Sequence, residues 1–211
     1  MSRSRPSIDV SPYLIDPGQP YEDAPIQWAG LFGNANPVEL EIGSGKGLFL
    51  ANAAAANPGH NFLGIELSRK YAQLAALRLA RRQLPNAKLW RGDAGFVMAR
   101  LVPAASLRAV HVYFPDPWWK RRHKKRRVFT AELVSSVERA LQPGGALRLA
   151  SDVEEYFQII RSLIEANRQF RELPVSEPGD PEHALDYLTS FERKYRLEGR
   201  PIYRTDYVIG P

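Results

Sequence analysis

The chain has no cysteine among its 211 residues, and this absence excludes several kinds of site. Without cysteine there is no disulfide bond, no zinc–thiolate centre and no cysteine nucleophile. The four histidines are scattered, without the spacing of metal ligands. The sequence therefore predicts a protein that holds no metal.

Long apolar stretches are also missing. No part of the sequence approaches the roughly 18 unbroken apolar residues that a membrane-spanning helix requires. The opening residues, MSRSRPSIDV, lack the apolar centre of a secretory signal. We therefore expect a cytoplasmic protein that does not contact membranes.

Positive charge is plentiful but confined to one short segment. The net charge is +6, whereas residues 120–127, KRRHKKRR, alone carry +7, so the other 203 residues sum to −1. Like charges at this density repel one another unless an anion compensates them. A solvated loop or helix start is the alternative interpretation, but the segment favours nucleic-acid binding.

An acid and several aromatic residues precede this basic segment. Residues 107–114 predict a strand, after which Asp116 stands between two prolines and is followed by Trp118 and Trp119. Such a segment suits a site that binds a polyanion and presents a flat base to a carboxylate. The aromatic rings could equally pack within the strand and the turn, and the sequence leaves both interpretations open.

A strand, a glycine turn and a helix are predicted in the first half of the chain. Residues 38–42 read as a strand, residues 43–47, GSGKG, as a turn and residues 48–56 as an Ala-rich helix. Glycines let the backbone turn sharply and approach a nucleotide closely. Glu66 ends the next predicted strand, where it could accept hydrogen bonds from a ribose or begin the following helix.

The alternation of further strands and helices predicts an α/β fold with a mostly parallel sheet and helices on both faces. In such a sheet, ligands bind at the carboxyl ends of the strands. Five candidate residues fall at those ends: Gly43, Glu66, Asp93, Asp116 and Asp152. Residues 1–25, which contain five prolines, predict a flexible tail, residues 26–211 a single domain and residues 171–186 a loop.

Four segments resemble the tRNA (guanine-N7)-methyltransferases of the bacterial TrmB type. They read LEIGSGKG, FLGIEL, FPDPWWKRRHKKRR and TSFERKYRLEGRPIYR, and the resemblance covers roughly residues 30–208. It implies a Rossmann-like, S-adenosylmethionine-dependent methyltransferase. The implied target is the guanine at position 46 in the variable loop of tRNA.

The resemblance also implies roles for individual residues. Asp116 would be the catalytic acid. The cofactor S-adenosyl-L-methionine would be bound by Glu41, Gly43, Ser44, Gly45, Glu66, Asp93 and Asp116. The tRNA would be contacted by Lys120, Asp152, Thr189, Ser190, Phe191 and Glu192. Independently of the resemblance, their positive charge predicts phosphate contacts for Lys120, Arg126 and Arg127. The chain departs from the family pattern at Trp119 and Ser151, which bears on substrate preference more than on the type of reaction.

Methylation of guanine N7 needs no general base, because N7 carries a lone pair and no proton. The reaction needs that lone pair in line with the methyl group, and the purine becomes cationic as the bond forms. A carboxylate would stabilise this charge and could accept hydrogen bonds from guanine N1–H and N2–H. Asp116 and Asp152 are the candidates, and the sequence does not divide these two tasks between them.

Three other classes of protein remain as alternatives. The first is an amino-methyltransferase acting on adenine or cytosine, and the second is a nicotinamide oxidoreductase, which the G-x-G-x-G spacing disfavours. The third is a tRNA-binding protein without catalytic activity. The guanine methyltransferase and the non-catalytic binder would both have tRNA as their partner. The amino-methyltransferase could act on another nucleic acid, and the oxidoreductase would bind none. The sequence requires no protein partner, and the chain would act as a monomer or homodimer.

Overall fold

A computed structural model describes residues 8–17, 24–118, 122, 127–174 and 189–210. Its eight strands belong to one sheet. Their bounds are β1 Leu14–Ile15, β2 Val38–Ile42, β3 Asn61–Glu66, β4 Ala87–Arg91, β5 Leu107–Tyr113, β6 Leu141–Ser151, β7 Phe170–Leu173 and β8 Tyr203–Ile209.

The helices lie between these strands. Their bounds are α1 Trp28–Phe32, α2 Leu48–Ala56, α3 Arg69–Arg81, α4 Ala94–Phe96, α5 Ala131–Ala140, α6 Glu154–Glu165 and α7 Ser190–Leu197. A π-helical turn, Val97–Leu101, continues α4. Within the described ranges, no helix combines the length and the apolar character needed to cross a membrane.

The strand order is β1-β4-β3-β2-β5-β6-β8-β7. β8 pairs antiparallel with β6 and β7, whereas the other five strand pairs are parallel, which confirms the prediction of a mostly parallel sheet. The chain runs outward from β2 through β3 and β4, then returns to place β5 on the other side of β2. This reversal opens a crevice beyond the carboxyl ends of β2 and β5, where ligands bind in sheets of this kind.

Alternating side chains of the sheet face two apolar clusters. On β3, Leu63 and Ile65 belong to the larger cluster, which includes side chains of α5 and α6. Phe62 belongs to the smaller cluster, which includes side chains of α2 and α3. Because successive side chains of a strand point to opposite faces, the helices cover both faces of the sheet, as predicted.

Two predictions of irregular structure fail within the described residues. Leu14 and Ile15, assigned to the flexible tail, pair with Leu89 and Trp90 of β4, because the edge of the sheet offers free backbone partners and an apolar surface. Phe170–Leu173 is strand β7 and not the start of a loop. Residues 1–7, 18–23 and 175–186 of these two segments lie outside the described residues, and the single domain over residues 26–211 stays a prediction.

Gly64 on β3 tests how closely the sheet packs against the glycine turn. A Cβ at this position would lie 2.3 Å from Ser44 Oγ and 2.8 Å from Leu89 Cδ1. We expect Gly64→Ala to lower the free energy of unfolding by about 1–3 kcal/mol, measured by urea titration. Gly59→Ala is the control, because a Cβ there meets nothing within 4 Å. Equal stability of the two variants would show that the contact at Gly64 relaxes without cost.

Candidate active site at the carboxyl edge of the sheet

The structure brings the five candidate residues to one edge of the sheet. Each lies at or directly after the carboxyl end of a parallel strand: Gly43 after β2, Glu66 on β3, Asp93 after β4, Asp116 after β5 and Asp152 after β6. The predicted common location is therefore confirmed. What each of these residues binds stays a prediction.

The glycine turn leaves its backbone open to a ligand. Gly45 has a φ of 53° in the left-handed region, and a Cβ built on it would meet nothing within 4 Å. Gly47, with a φ of 67°, is needed for a different reason, because its Cβ would come 2.7 Å from the Cβ of Ala75 in α3. The turn therefore allows a ligand to approach on one side while α3 packs against the other.

Glu66 uses its carboxylate to hold this turn. Its Oε2 accepts a hydrogen bond from the Gly45 backbone N–H, and its Oε1 accepts one from Ser68, both at 2.8 Å. Burial raises the pKa of Glu66, these backbone hydrogen bonds oppose the rise, and the negative charge of nearby Asp116 adds to it. A carboxylate offers about four lone-pair positions, so Glu66 can also accept from ribose hydroxyls.

Asp93 has a structural task of its own. Its Oδ1 accepts a hydrogen bond of 2.8 Å from the backbone N–H of Phe96 and so caps the start of α4. The residue is exposed at the edge of the sheet, and its carboxylate retains acceptor positions for a ligand. The cap fixes the orientation in which these positions are presented.

Glu41 is a buried carboxyl group that the protein does not fully satisfy. Its side chain lies on β2 with 4% of the residue exposed, and among the described residues no atom hydrogen-bonds its Oε2. Burial raises its pKa to about 8, the negative charge of Glu66 acts in the same direction, and a hydrogen bond with Ser44 opposes both. A cationic group of a bound cofactor would favour ionisation of Glu41, so the residues present fit S-adenosylmethionine.

A polar layer between the sheet and α2 lies on the same face of β2. Glu39 bonds His60 Nδ1 and His111 Nε2, each at 2.7 Å, and His111 Nδ1 lies 2.9 Å from the Tyr113 hydroxyl. Burial lowers the pKa of His111 and raises that of Tyr113. The Glu39 carboxylate accepts hydrogen bonds from both histidine rings, and His111 in turn bonds the Tyr113 hydroxyl. The ring of Phe49 packs over this layer.

The loop that carries Asp116 has an unusual backbone. Phe114 and Trp118, on either side of Asp116, have φ values of 53° and 41°, which non-glycine residues rarely adopt. Hydrogen bonds from outside the loop help to hold this shape: the Phe114 N–H donates to the Ala150 carbonyl at 2.7 Å, and Arg127 Nε donates to the Pro117 carbonyl at 2.7 Å. Asp116 is exposed between them.

Arg127 therefore has a role that the sequence did not indicate. Besides its bond to the loop, its guanidinium carbon lies 5.1 Å from the ring centroid of Tyr156. The phosphate contact predicted for Arg127 from its charge stays a prediction. Lys120 and Arg126, the other two cations predicted to bind phosphate, lie outside the described residues, as does Trp119.

The TSFE segment divides into buried and exposed residues. Thr189 Oγ1 caps α7 by accepting from the Glu192 N–H at 3.0 Å, and the Glu192 carboxylate pairs with Arg204 at 2.6 Å and Arg196 at 3.0 Å. Phe191 is 51% exposed. Phe191 is therefore the residue of this segment that presents its side chain outward, whereas Thr189 and Glu192 hold α7 in place; the side chain of Ser190 lies outside the described residues.

Asp152 has a partner that the sequence analysis missed. Its Oδ2 lies 2.5 Å from Nη2 of Arg200, a residue 48 positions later in the chain. No local pattern predicts this pair, because it depends on β8 returning antiparallel beside β6. Ser151, where the chain departs from the family pattern, accepts a hydrogen bond from the Val153 N–H at 3.2 Å.

Comparison with known proteins identifies the family. A family model described as "Putative methyltransferase" matches residues 35–205. A tRNA (guanine-N(7)-)-methyltransferase of Rhodopirellula baltica is 42% identical over 98% of this chain and 78% of its own length. The chain belongs to the tRNA (guanine-N7)-methyltransferase family. A relative of the same name from Geobacter metallireducens is 35% identical over 93% of this chain and 92% of its own length.

Solved structures agree on the fold. The 16S rRNA methyltransferase KamB superposes with a TM-score of 0.61 at 16% identity, over 87% of this chain and 93% of that one. The aminoglycoside resistance methyltransferase NpmB1 gives 0.58 at 18% identity, over 84% and 89%. At this level of identity the likeness concerns the fold alone, and it confirms the predicted Rossmann-like methyltransferase architecture.

The protonation of Glu41 gives a prediction for the cofactor-free protein. Its pKa is about 8 in the folded state against 4.5 as the ordinary value, so the folded state binds the extra proton between these pH values. The protonated Glu41 carboxyl therefore stabilises the fold at low pH, and this stabilisation is lost as the pH rises from 4.5 to about 8. We expect Glu41→Gln to gain on the order of 1–3 kcal/mol relative to the unmodified protein between pH 5 and pH 8, measured by urea unfolding.

Glu39→Gln is the matched control on the same face of β2. Burial would raise the pKa of Glu39, but hydrogen bonds and charge from His111, with a hydrogen bond from His60, lower it to about 2. Glu39 is therefore ionised in both folded and unfolded states across the tested range, and its substitution should cost the same at either pH. A pH-independent difference for Glu41→Gln would mean that Glu41 is ionised in the fold.

Proposed function

We propose that the protein transfers a methyl group from S-adenosylmethionine to N7 of a guanine in tRNA, giving 7-methylguanosine. Membership of the tRNA (guanine-N7)-methyltransferase family and the methyltransferase fold support the reaction. The target position, guanine 46 in the variable loop, is supported by the resemblance of the sequence motifs. Action in the cytoplasm, as a monomer or homodimer and without a protein partner, stays a prediction.

The observation that carries this proposal is that two acids of separate motifs lie near each other in one crevice. Asp116, from the loop after β5, is close enough for its charge to act on Glu66, at the end of β3. Glu66 in turn binds the backbone of the glycine turn. The cofactor side and the loop that precedes the basic segment therefore meet at the switch point of the sheet.

The cofactor would lie against the glycine turn. Bound S-adenosylmethionine supplies an electrophilic methyl group on a sulfonium. Glu66 would accept hydrogen bonds from ribose hydroxyls, Asp93 would accept from the adenine amino group, and Glu41 would compensate a cationic group. All three carboxyl groups lie at, or one to two residues from, the carboxyl end of a strand, and Glu66 and Asp93 are fixed by backbone hydrogen bonds.

The carboxylates near the target base stabilise the positive charge that develops on it and do not accept a proton from it. The N7 lone pair forms the new bond to the methyl carbon, the electrons of the broken bond stay on sulfur, and no proton moves. Positive charge then spreads over the purine. A carboxylate at Asp116 or Asp152 stabilises this charge more strongly in the transition state than in the ground state, which is what lowers the barrier.

The basic segment would bind the tRNA backbone. Arg127, its last residue, is attached to the Asp116 loop, so this end of the segment lies at the candidate active site. Lys120 and Arg126 would contact phosphates and release counterions. Binding of tRNA would therefore weaken steeply as the salt concentration rises.

The deciding experiment transfers labelled methyl from S-adenosylmethionine to unmodified tRNA transcripts and maps the modified nucleoside. A single 7-methylguanosine at position 46 is the expected result. Methyl groups on adenine or cytosine would overturn the assignment of the base. Binding of cofactor and tRNA without any transfer would favour a protein that binds tRNA without catalysis.

Asp116→Asn and Glu66→Ala should separate catalysis from cofactor binding. Asp116→Asn keeps the shape of an exposed side chain but loses its charge, so kcat should fall on the order of 10²–10³-fold while the cofactor still binds. Glu66→Ala removes charged hydrogen bonds and should weaken cofactor binding roughly tenfold to a hundredfold. Isothermal titration and single-turnover kinetics measure the two effects. Weaker cofactor binding in Asp116→Asn, with a normal single-turnover rate once the cofactor is saturating, would show that Asp116 serves the cofactor and not the reaction.

A further inference from the structure

The end of α7 places an arginine over an aromatic ring. The helix ends at Leu197, and Gly199 follows with a φ of 66°. The Arg200 N–H then donates to the Tyr195 carbonyl at 2.9 Å, which closes the helix and sets Arg200 opposite Tyr195. The guanidinium carbon of Arg200 lies 4.2 Å from the centroid of the Tyr195 ring. The local sequence YRLEGR thus fixes the arrangement.

The same guanidinium also bonds the acid at the end of β6. Nη2 of Arg200 lies 2.5 Å from Oδ2 of Asp152, whose side chain is only 11% exposed, whereas the Arg200 side chain is 40% exposed. Arg200 Nη1 has a second, longer contact of 3.9 Å with Glu198. A half-exposed planar cation is therefore held between an aromatic face and a largely buried carboxylate.

A guanine base contains the same chemical group. Its N1–H, C2 and N2 amino atoms form a planar guanidine fragment that donates two parallel N–H bonds, as an arginine side chain does. Single-stranded bases bound by proteins commonly stack on aromatic rings and hydrogen-bond through this edge. The face of Tyr195 and the carboxylate of Asp152 therefore suit either a guanidinium or a guanine.

We propose that Tyr195 and Asp152 form the binding site of the target guanine, and that Arg200 occupies this site in the tRNA-free protein and leaves it when the base enters. The inference rests on the proposed function, because it takes guanine in tRNA as the substrate. It adds Tyr195 as the stacking residue and Arg200 as a residue that competes with the base.

The surroundings of Tyr195 support a fixed stacking surface. Its ring packs against Phe191 at 6.1 Å and against Phe114 at 5.5 Å between centroids. Phe114 belongs to the loop that carries Asp116, two residues further on. The ring that would stack on the base is therefore attached directly to the loop of the catalytic acid.

The exchange of arginine for guanine has an electrostatic reason. A largely buried carboxylate needs hydrogen bonds or a positive charge beside it, and in the tRNA-free protein Arg200 supplies both. An incoming guanine is neutral and becomes cationic only as its N7 is methylated. Once Arg200 has left, Asp152 meets that developing charge in the transition state, whereas a retained guanidinium would repel it.

Steady-state methylation of an unmodified tRNA transcript at saturating S-adenosylmethionine tests the proposal. Arg200→Ala should lower KM for tRNA by about threefold to tenfold, the size expected for loss of a competing ion pair with a half-exposed arginine together with a cation–π contact, with kcat unchanged. Tyr195→Leu should raise KM about tenfold, as expected for loss of one stacked base. Tyr195→Phe keeps the ring and loses only the hydroxyl that bonds Asp152 and Arg200, so it should change KM much less. In the Asp152→Asn background, Arg200→Ala should no longer lower KM.

Arg193→Ala is the matched control, because it removes an exposed cation from α7 and leaves the Asp152–Arg200 pair intact. It should leave KM unchanged or raise it through lost attraction to phosphate. A raised or unchanged KM in Arg200→Ala, or an equal fall in Arg193→Ala, overturns the proposal. If the unmodified protein forms no 7-methylguanosine, the proposed function fails and the inference with it; normal formation with an unchanged KM in Arg200→Ala overturns the inference alone.

Discussion

The pairing of β2 with β5 is the constraint on which the candidate site depends. These strands lie side by side although β3, β4 and their helices come between them in the chain, so the connections leave in opposite directions and a crevice opens above the pair. The glycine turn follows one strand and the Asp116 loop follows the other. Any change that shifted the register of this pair would separate the cofactor side of the site from the side of the base.

The same strand pair buries several ionisable side chains, and each is accommodated differently. Glu39 is ionised because two histidines bond it, whereas Glu41, two residues on, is protonated because burial dominates. At the edge, Glu66 accepts backbone N–H groups and Asp152 pairs with Arg200. Bound cofactor could add hydrogen bonds to those that Glu66 already accepts, and a bound base could take the place of Arg200 beside Asp152. This arrangement suits a reaction with a cationic methyl donor and a cationic product.

The region around Asp116 is held by contacts from distant parts of the chain. Phe114 packs against Phe191 and Tyr195 of α7, and Arg127 bonds the loop from the far end of the basic segment. α7 itself is fixed by the buried pairs of Glu192 with Arg204 and Arg196. Backbone strain at Phe114 and Trp118 is sustained by this surrounding structure, as is common at functional sites.

The sequence by itself determined the elements and the edge at which the site lies. Periodicity and breakers place β2, α2 and β5 correctly, because these features depend on neighbours in the chain. Since alternating strands and helices dictate a parallel sheet, the position of Glu66 and Asp116 at its carboxyl edge followed as well.

The tertiary structure alone decided which side chains meet and which carry a proton. The edge pairing of β1, the bond from Arg127 to the Asp116 loop and the Asp152–Arg200 pair all join segments far apart in the chain. The protonation of Glu41 likewise depends on how completely α2 and the sheet exclude water from it. Local sequence patterns do not predict such contacts, because burial and charge act between residues that are close in space and not only between neighbours in the chain.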